Sequence, residues 1–173
     1  MVLRPLDRKT RRDGQAAVEF AMVAAPFFFM LFAILELGLV FVTDSTVENA
    51  VLETGRLVRT GQAQTAAMSA AGFKDEVCER MSLLATDCDK RTTIDVRVID
   101  QFKDVNPPDP MADGKTFDDS KLVFEAGQPG SLILIRVWYE KPLITPFLSE
   151  GLSRLDNGKM VMTATTTFRN EPY

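Results

Sequence analysis

Few residues in this sequence could do chemistry, and they are oddly placed. Glu19 opens an apolar run of 23 residues, Phe20 to Val42, that holds one further charge, Glu36. A glycine, Gly14, stands five residues before Glu19. A carboxylate costs roughly 2.5–3.5 kcal/mol at the middle of a membrane span and less near its edge, so Glu19 is a functional candidate by default. Ala17, Ala21 and Ala25 recur every four residues on one helix face. Small residues at that spacing let helices approach closely in lipid. The plainer reading is an ordinary anchor with chance alanines. Glu36 has two readings as well: it snorkels outward, or it pairs with a neighbouring subunit.

Other chemistry is thin. The chain has no histidine, which removes Ser-His-Asp and Cys-His catalysis and most zinc sites. No phosphate-cradling glycine loop occurs. "DPMADG" (Asp109–Gly114) imitates the start of a calcium loop, but Met111 at the third position and Ser120 at the twelfth leave the key ligands missing. Asp118 and Asp119 read as a solvated face. We therefore expect no enzyme, cofactor, metal or small-molecule substrate. Cys78 and Cys88, ten residues apart, suit a disulfide in an oxidising compartment. The alternative is two reduced thiols.

The elements that must position these residues follow from charge and periodicity. Residues 1–14 hold five Lys/Arg and two acids, a charge of +3, while the other residues hold 15 Lys/Arg and 22 acids, a charge of -7. A basic head, an apolar span and an acidic body place the head in the cytoplasm and the body outside. An acidic body also argues against nucleic acid. As a helix, Phe20–Val42 reaches roughly 34 Å at 1.5 Å per residue, enough for a hydrocarbon core of about 30 Å. No A-x-A-like site follows it, as a cleavable secretory signal would require. The expected organisation is a flexible cytoplasmic leader (1–14), a membrane helix (15–42) and a periplasmic α+β domain (43–173).

Val47, Ala50, Val51, Leu57 and Val58 continue at roughly helical spacing, so the membrane helix should run on to near Thr60, softened at Pro26. Gly61 is its stop, and Thr65 would cap the next element. A second helix is expected with Ala67, Ala70, Ala71, Val77, Met81 and Leu84 along one face. "TTIDVRVIDQF" alternates Ile94, Val96 and Val98 with Asp95 and Arg97, as a half-buried strand does. "SLILIRVWYEK" reads as a central strand and "GKMVMTATTTFRN" as another. One helix on a small antiparallel sheet of three or four strands is the economical arrangement. The Pro/Gly-containing insertion 103–130 is long enough to be functional or disordered; "KLVFEAG" within it could add an edge strand. "PLITPFLSEGLSRLDNG" either packs under the sheet or forms a patch for a partner or the membrane.

These residues carry a resemblance. "RRDG" followed by "QAAVEF" resembles a type IV prepilin signal, and "GQAAVEFAMVAAPFFFMLFAILELG" resembles the membrane segment of TadE-like proteins. Those are minor pilins or pseudopilins of the tight-adherence (Flp, type IVc) pilus. The order of later elements, from "VLETGRLVRTGQ" through the cysteine pair to "TFRNEPY", is similar too; the resemblance does not extend to the 103–130 insertion, whose role stays open. The resemblance implies cleavage between Gly14 and Gln15 by a prepilin peptidase. It implies neutralisation of the new amine by Glu19, and a role in pilus assembly and surface adhesion. The implied partners are other minor pilins, the major pilin and the inner-membrane platform of the pilus. Two alternatives stay open: an uncleaved single-pass scaffold of the same apparatus, and an unrelated membrane-anchored periplasmic binding domain.

Overall fold

The computed structural model describes residues 8–81, 87–103, 107–114 and 116–173, with side chains from residue 14 onward. It is an α+β protein with a long N-terminal helix and a three-stranded antiparallel sheet. The elements are α1 (Arg8–Arg59), α2 (Gln62–Thr65), α3 (Ala70–Met81), α4 (Cys88–Arg91), β1 (Thr92–Ile99), β2 (Leu132–Pro142), α5 (Pro146–Leu152) and β3 (Lys159–Arg169).

Helix α1 runs unbroken for 52 residues, with Pro26 inside it. It begins at Arg8, earlier than expected, so the second half of the basic leader is helical. Lys, Arg, Gln and Ala are good helix formers, and no proline stands between Arg8 and Ala25 to stop them. From Gly14 to Arg59 the helix is long and apolar enough to cross a membrane, and only 11 % of its most apolar window is buried within the chain. A soluble protein's core helix would be mostly covered.

The sheet order is β1-β2-β3. Thr92 pairs with Tyr139 at one end of the β1–β2 register and Ile99 with Leu132 at the other. Leu132 pairs with Arg169 and Pro142 with Lys159 across β2–β3. Strand period sends Ile133, Ile135, Val137 and Tyr139 to one face, where they pack with Val47, Val51 and Val58 of α1 and Phe73, Val77 and Met81 of α3. Gly55 lets α1 approach closely: a Cβ there would lie 3.3 Å from the Phe168 ring and 3.4 Å from Ile135. Past α1, Gly61 adopts φ +81° and the Tyr173 ring lies against it, leaving no room for a side chain. The Glu171 amide donates to the Arg59 carbonyl at 2.9 Å.

Several expectations are revised. Thr65 ends α2 instead of capping a helix, and the Ser69 hydroxyl accepts from the Gly72 amide at the start of α3. The buried stripe of α3 is Phe73, Val77 and Met81, because the bulky residues outcompete the alanines for the core. Leu84 lies outside the described residues. Val98 is exposed and Asp95 wholly buried, the reverse of the expected strand pattern. Asp95 is buried because the insertion covers the second face of the sheet. Met111, Phe117 and Leu122 pack there with Trp138, Leu155 and Val161, and the Phe117 and Trp138 rings meet edge to face at 5.7 Å. "KLVFEAG" supplies one parallel bridge, Val96 to Phe124, and not a full fourth strand.

Candidate functional site

The sequence singles out the first turns of the membrane helix. Gly14 lies within α1, exposed, and a Cβ built on it would meet nothing within 4 Å. Packing therefore gives no reason for glycine at this position. The Gln15 amide donates to the Glu19 carboxylate at 2.8 Å, one turn on, and both are exposed. Ala17, Ala21 and Ala25 are exposed as well. Phe20, Met22, Phe27, Met30, Phe32 and Ile34 are more than half exposed around the same segment. The Phe28 ring meets Phe27 edge to face at 5.4 Å and stacks with Phe32 at 6.3 Å. Gly14, Gln15 and Glu19 thus come together on a bare helix end. The alanine face meets no other element among the described residues.

The second half of α1 differs from Glu36 onward. Glu36, Val40, Thr43, Val47, Val51, Thr54 and Val58 are buried, at steps of three and four that make one helical stripe. Within this chain Glu36 has partners that neither reading named. Its carboxylate accepts from the backbone amides of Ile144 and Thr145, the latter at 2.8 Å. The corner after β2 is folded down onto it. Lys141 reaches α1 one level higher and donates to the Thr43 hydroxyl at 3.0 Å. Burial pulls the Lys141 pKa below the usual lysine value, against the opposing pull of the Glu36 charge.

Cys78 and Cys88 are joined as a disulfide, with Cα atoms 5.6 Å apart. It ties α3 to α4 and hence to the start of β1.

Sequence reasoning missed Asp95. Its carboxylate is fully buried and accepts from Arg97 at 2.6 and 2.8 Å, from Arg136 at 2.7 and 3.0 Å, and from the Val123 amide at 3.0 Å. Burial works against the charged form. The bonds from Arg97, Arg136 and Val123, with the Arg136 charge, outweigh it and hold the carboxyl below its usual pKa. Arg136 also stacks over the Trp138 ring at 4.9 Å. A signal was available: Arg136 sits in a strand otherwise apolar on both faces, and such an arginine needs a carboxylate.

A helix bare over one half and clad over the other, carrying an α+β body, defines a single-pass membrane-anchored protein. The model of the TadE-like protein family matches residues 14–56. That match takes in nearly all of α1 beyond the leader and is a similarity of this helix to the TadE-like family. The match stops short of the body. No curated protein and no solved structure matches the chain.

Proposed function

We propose that this protein is a minor pilin or pseudopilin of a tight-adherence pilus. It would sit in the bacterial inner membrane with its N-terminus cytoplasmic and its body periplasmic, and enter or prime the filament. It acts through assembly contacts and not as an enzyme. Its partners are the prepilin peptidase, other minor pilins, the major pilin and the inner-membrane platform. The TadE-like match over residues 14–56 carries this reading. The exposed Gly14–Glu19 turn supports it, since a peptidase needs access to the Gly14–Gln15 bond. Cleavage would free an amine on Gln15, already hydrogen-bonded to Glu19 through its side chain. That carboxylate, one turn away, would neutralise it and lower the cost of carrying both charges into a filament core.

N-terminal mass measured together with filament counts tests the reading. Gly14→Leu should leave an uncleaved protein and abolish its part in piliation. Glu19→Gln should be cleaved but pilate poorly. Normal piliation by uncleaved Gly14→Leu would favour the permanent membrane scaffold. One observation speaks for that second reading: the body grips α1 at Glu36, below the outer end of the apolar run.

A further inference from the structure

We infer that the corner 143–148, between β2 and α5, is seated in the lipid leaflet on the body's side, with Ile144 and Phe147 among the acyl chains. The inference rests on α1 spanning the membrane and not on the pilus reading. Ile144 is 90 % exposed and Phe147 69 %, the two most exposed large apolar residues outside α1 among those described. Isolated apolar side chains are common on surfaces. What sets these apart is depth.

Glu36 fixes that depth, because it holds the Ile144 and Thr145 amides. It lies six residues before Val42, about 9 Å below the outer end of the apolar run by helix rise. Ile144 also lines a groove with Phe32, Leu35 and Leu39 of the same run. The run exceeds a hydrocarbon core by only about 4 Å, roughly 34 against 30, so sliding the helix within that slack leaves Glu36 inside. Lowering the boundary below Glu36 would draw Glu19 into hydrocarbon instead. Of the two carboxylates, Glu36 is the one prepared for burial: two backbone amides satisfy it, whereas Glu19 has only Gln15 among the described residues. The charge pattern agrees. Lys141 meets α1 at Thr43, just past the apolar run, where an ammonium can reach headgroup phosphates and its stem can lie in the apolar layer. Apolar tips below the boundary and a cation at it are the chemistry of a lipid contact. The corner would hold the body at a set tilt against the bilayer.

The test uses the full-length protein, disulfide intact, in vesicles of phosphatidylethanolamine and phosphatidylglycerol. Nitroxide labels are placed one at a time through Ile144→Cys, Phe147→Cys, Met30→Cys and Glu48→Cys. Positions 144 and 147 are exposed, so labelling leaves the packing alone. Collisional relaxation by oxygen should exceed that by an aqueous nickel chelate at 144 and 147, as at 30, and the order should reverse at 48. Nickel access at 144 and 147 with oxygen access kept at 30 overturns the inference and leaves the span standing. Nickel access at 30 as well removes the span, and the inference with it. Shielding of 144 and 147 from both probes, relieved by diluting the protein in lipid, overturns it in favour of a second copy covering the corner.

Discussion

The two halves of α1 belong to one continuous helix and end in opposite states. Gly14 to Leu35 is rich in Ala, Val, Phe and Leu, yet almost every side chain is exposed. Glu36 to Arg59 has fewer apolar residues and more charge, yet Val47, Val51 and Val58 are at most 1 % exposed. Hydrophobic content therefore does not predict burial within the chain. Spacing does. The second half confines its apolar groups to one stripe, and a sheet lies on that stripe. The first half is apolar all round, as a helix meant for lipid or for other helices is. One half is covered within this chain, and the other is left bare by the described residues.

That contrast breaks most visibly if the body loses the charge that pins its cover. Asp95→Ala would strand Arg97 and Arg136 together, and breaking a buried ion pair costs about 3–5 kcal/mol. The body of the detergent-solubilised protein should melt far lower, while helicity of the first half survives by circular dichroism. Acid should show the same dependence. The folded-state pKa of Asp95 lies below its unfolded value of about 3.9, so its contribution is complete above that value and lost as pH falls through the folded pKa. An acid titration of Asp95→Asn should lack that component.

Opening the Cys78–Cys88 bridge comes next. Closing so short a loop is worth about 2–3 kcal/mol in the chain-entropy model, and a melting scan with and without reductant measures it. Thiol labelling of unreduced, denatured protein should find no free cysteine.

Two glycines of the second half compare its covered stripe with its bare face. Gly55→Leu must displace Phe168 and Ile135, and overpacking of this kind costs about 1–3 kcal/mol. Gly38→Leu meets open space, so the body's melting temperature should not move. Equal shifts for the two would erase the distinction between the covered stripe and the bare face.

Ala21→Leu should likewise leave the body's stability within about 0.5 kcal/mol, as is usual for exposed sites. On the proposed function its effect should appear instead in company: insertion unchanged, co-purification with the pilins reduced. Unchanged co-purification would leave the alanine spacing as chance.

The sequence made the long helix, the central strand and the fold class legible, because charge-free length and strand alternation are local signals. It concealed what depends on pairing across distance. Asp95 looked like a solvent-facing residue because its neighbours alternate correctly, and only the Arg136 register and the covering insertion bury it. Glu36 was recognised as anomalous, but its partners are backbone amides 108 and 109 residues away, to which side-chain patterns are blind. Thr65 and Ser69 are similar cap residues four apart, and the intervening turn decides between them.

The continuous α1 also has mechanical meaning. A pull along its axis is not taken up by one contact after another. The stripe from Glu36 to Val58 engages the body over about 33 Å of helix, so those contacts bear the load side by side, in shear. The proline of α1, which removes one backbone hydrogen bond, lies at residue 26, ten residues ahead of that grip. The rod's hinge and its handle are separate, and the bare half can flex while the body keeps its hold.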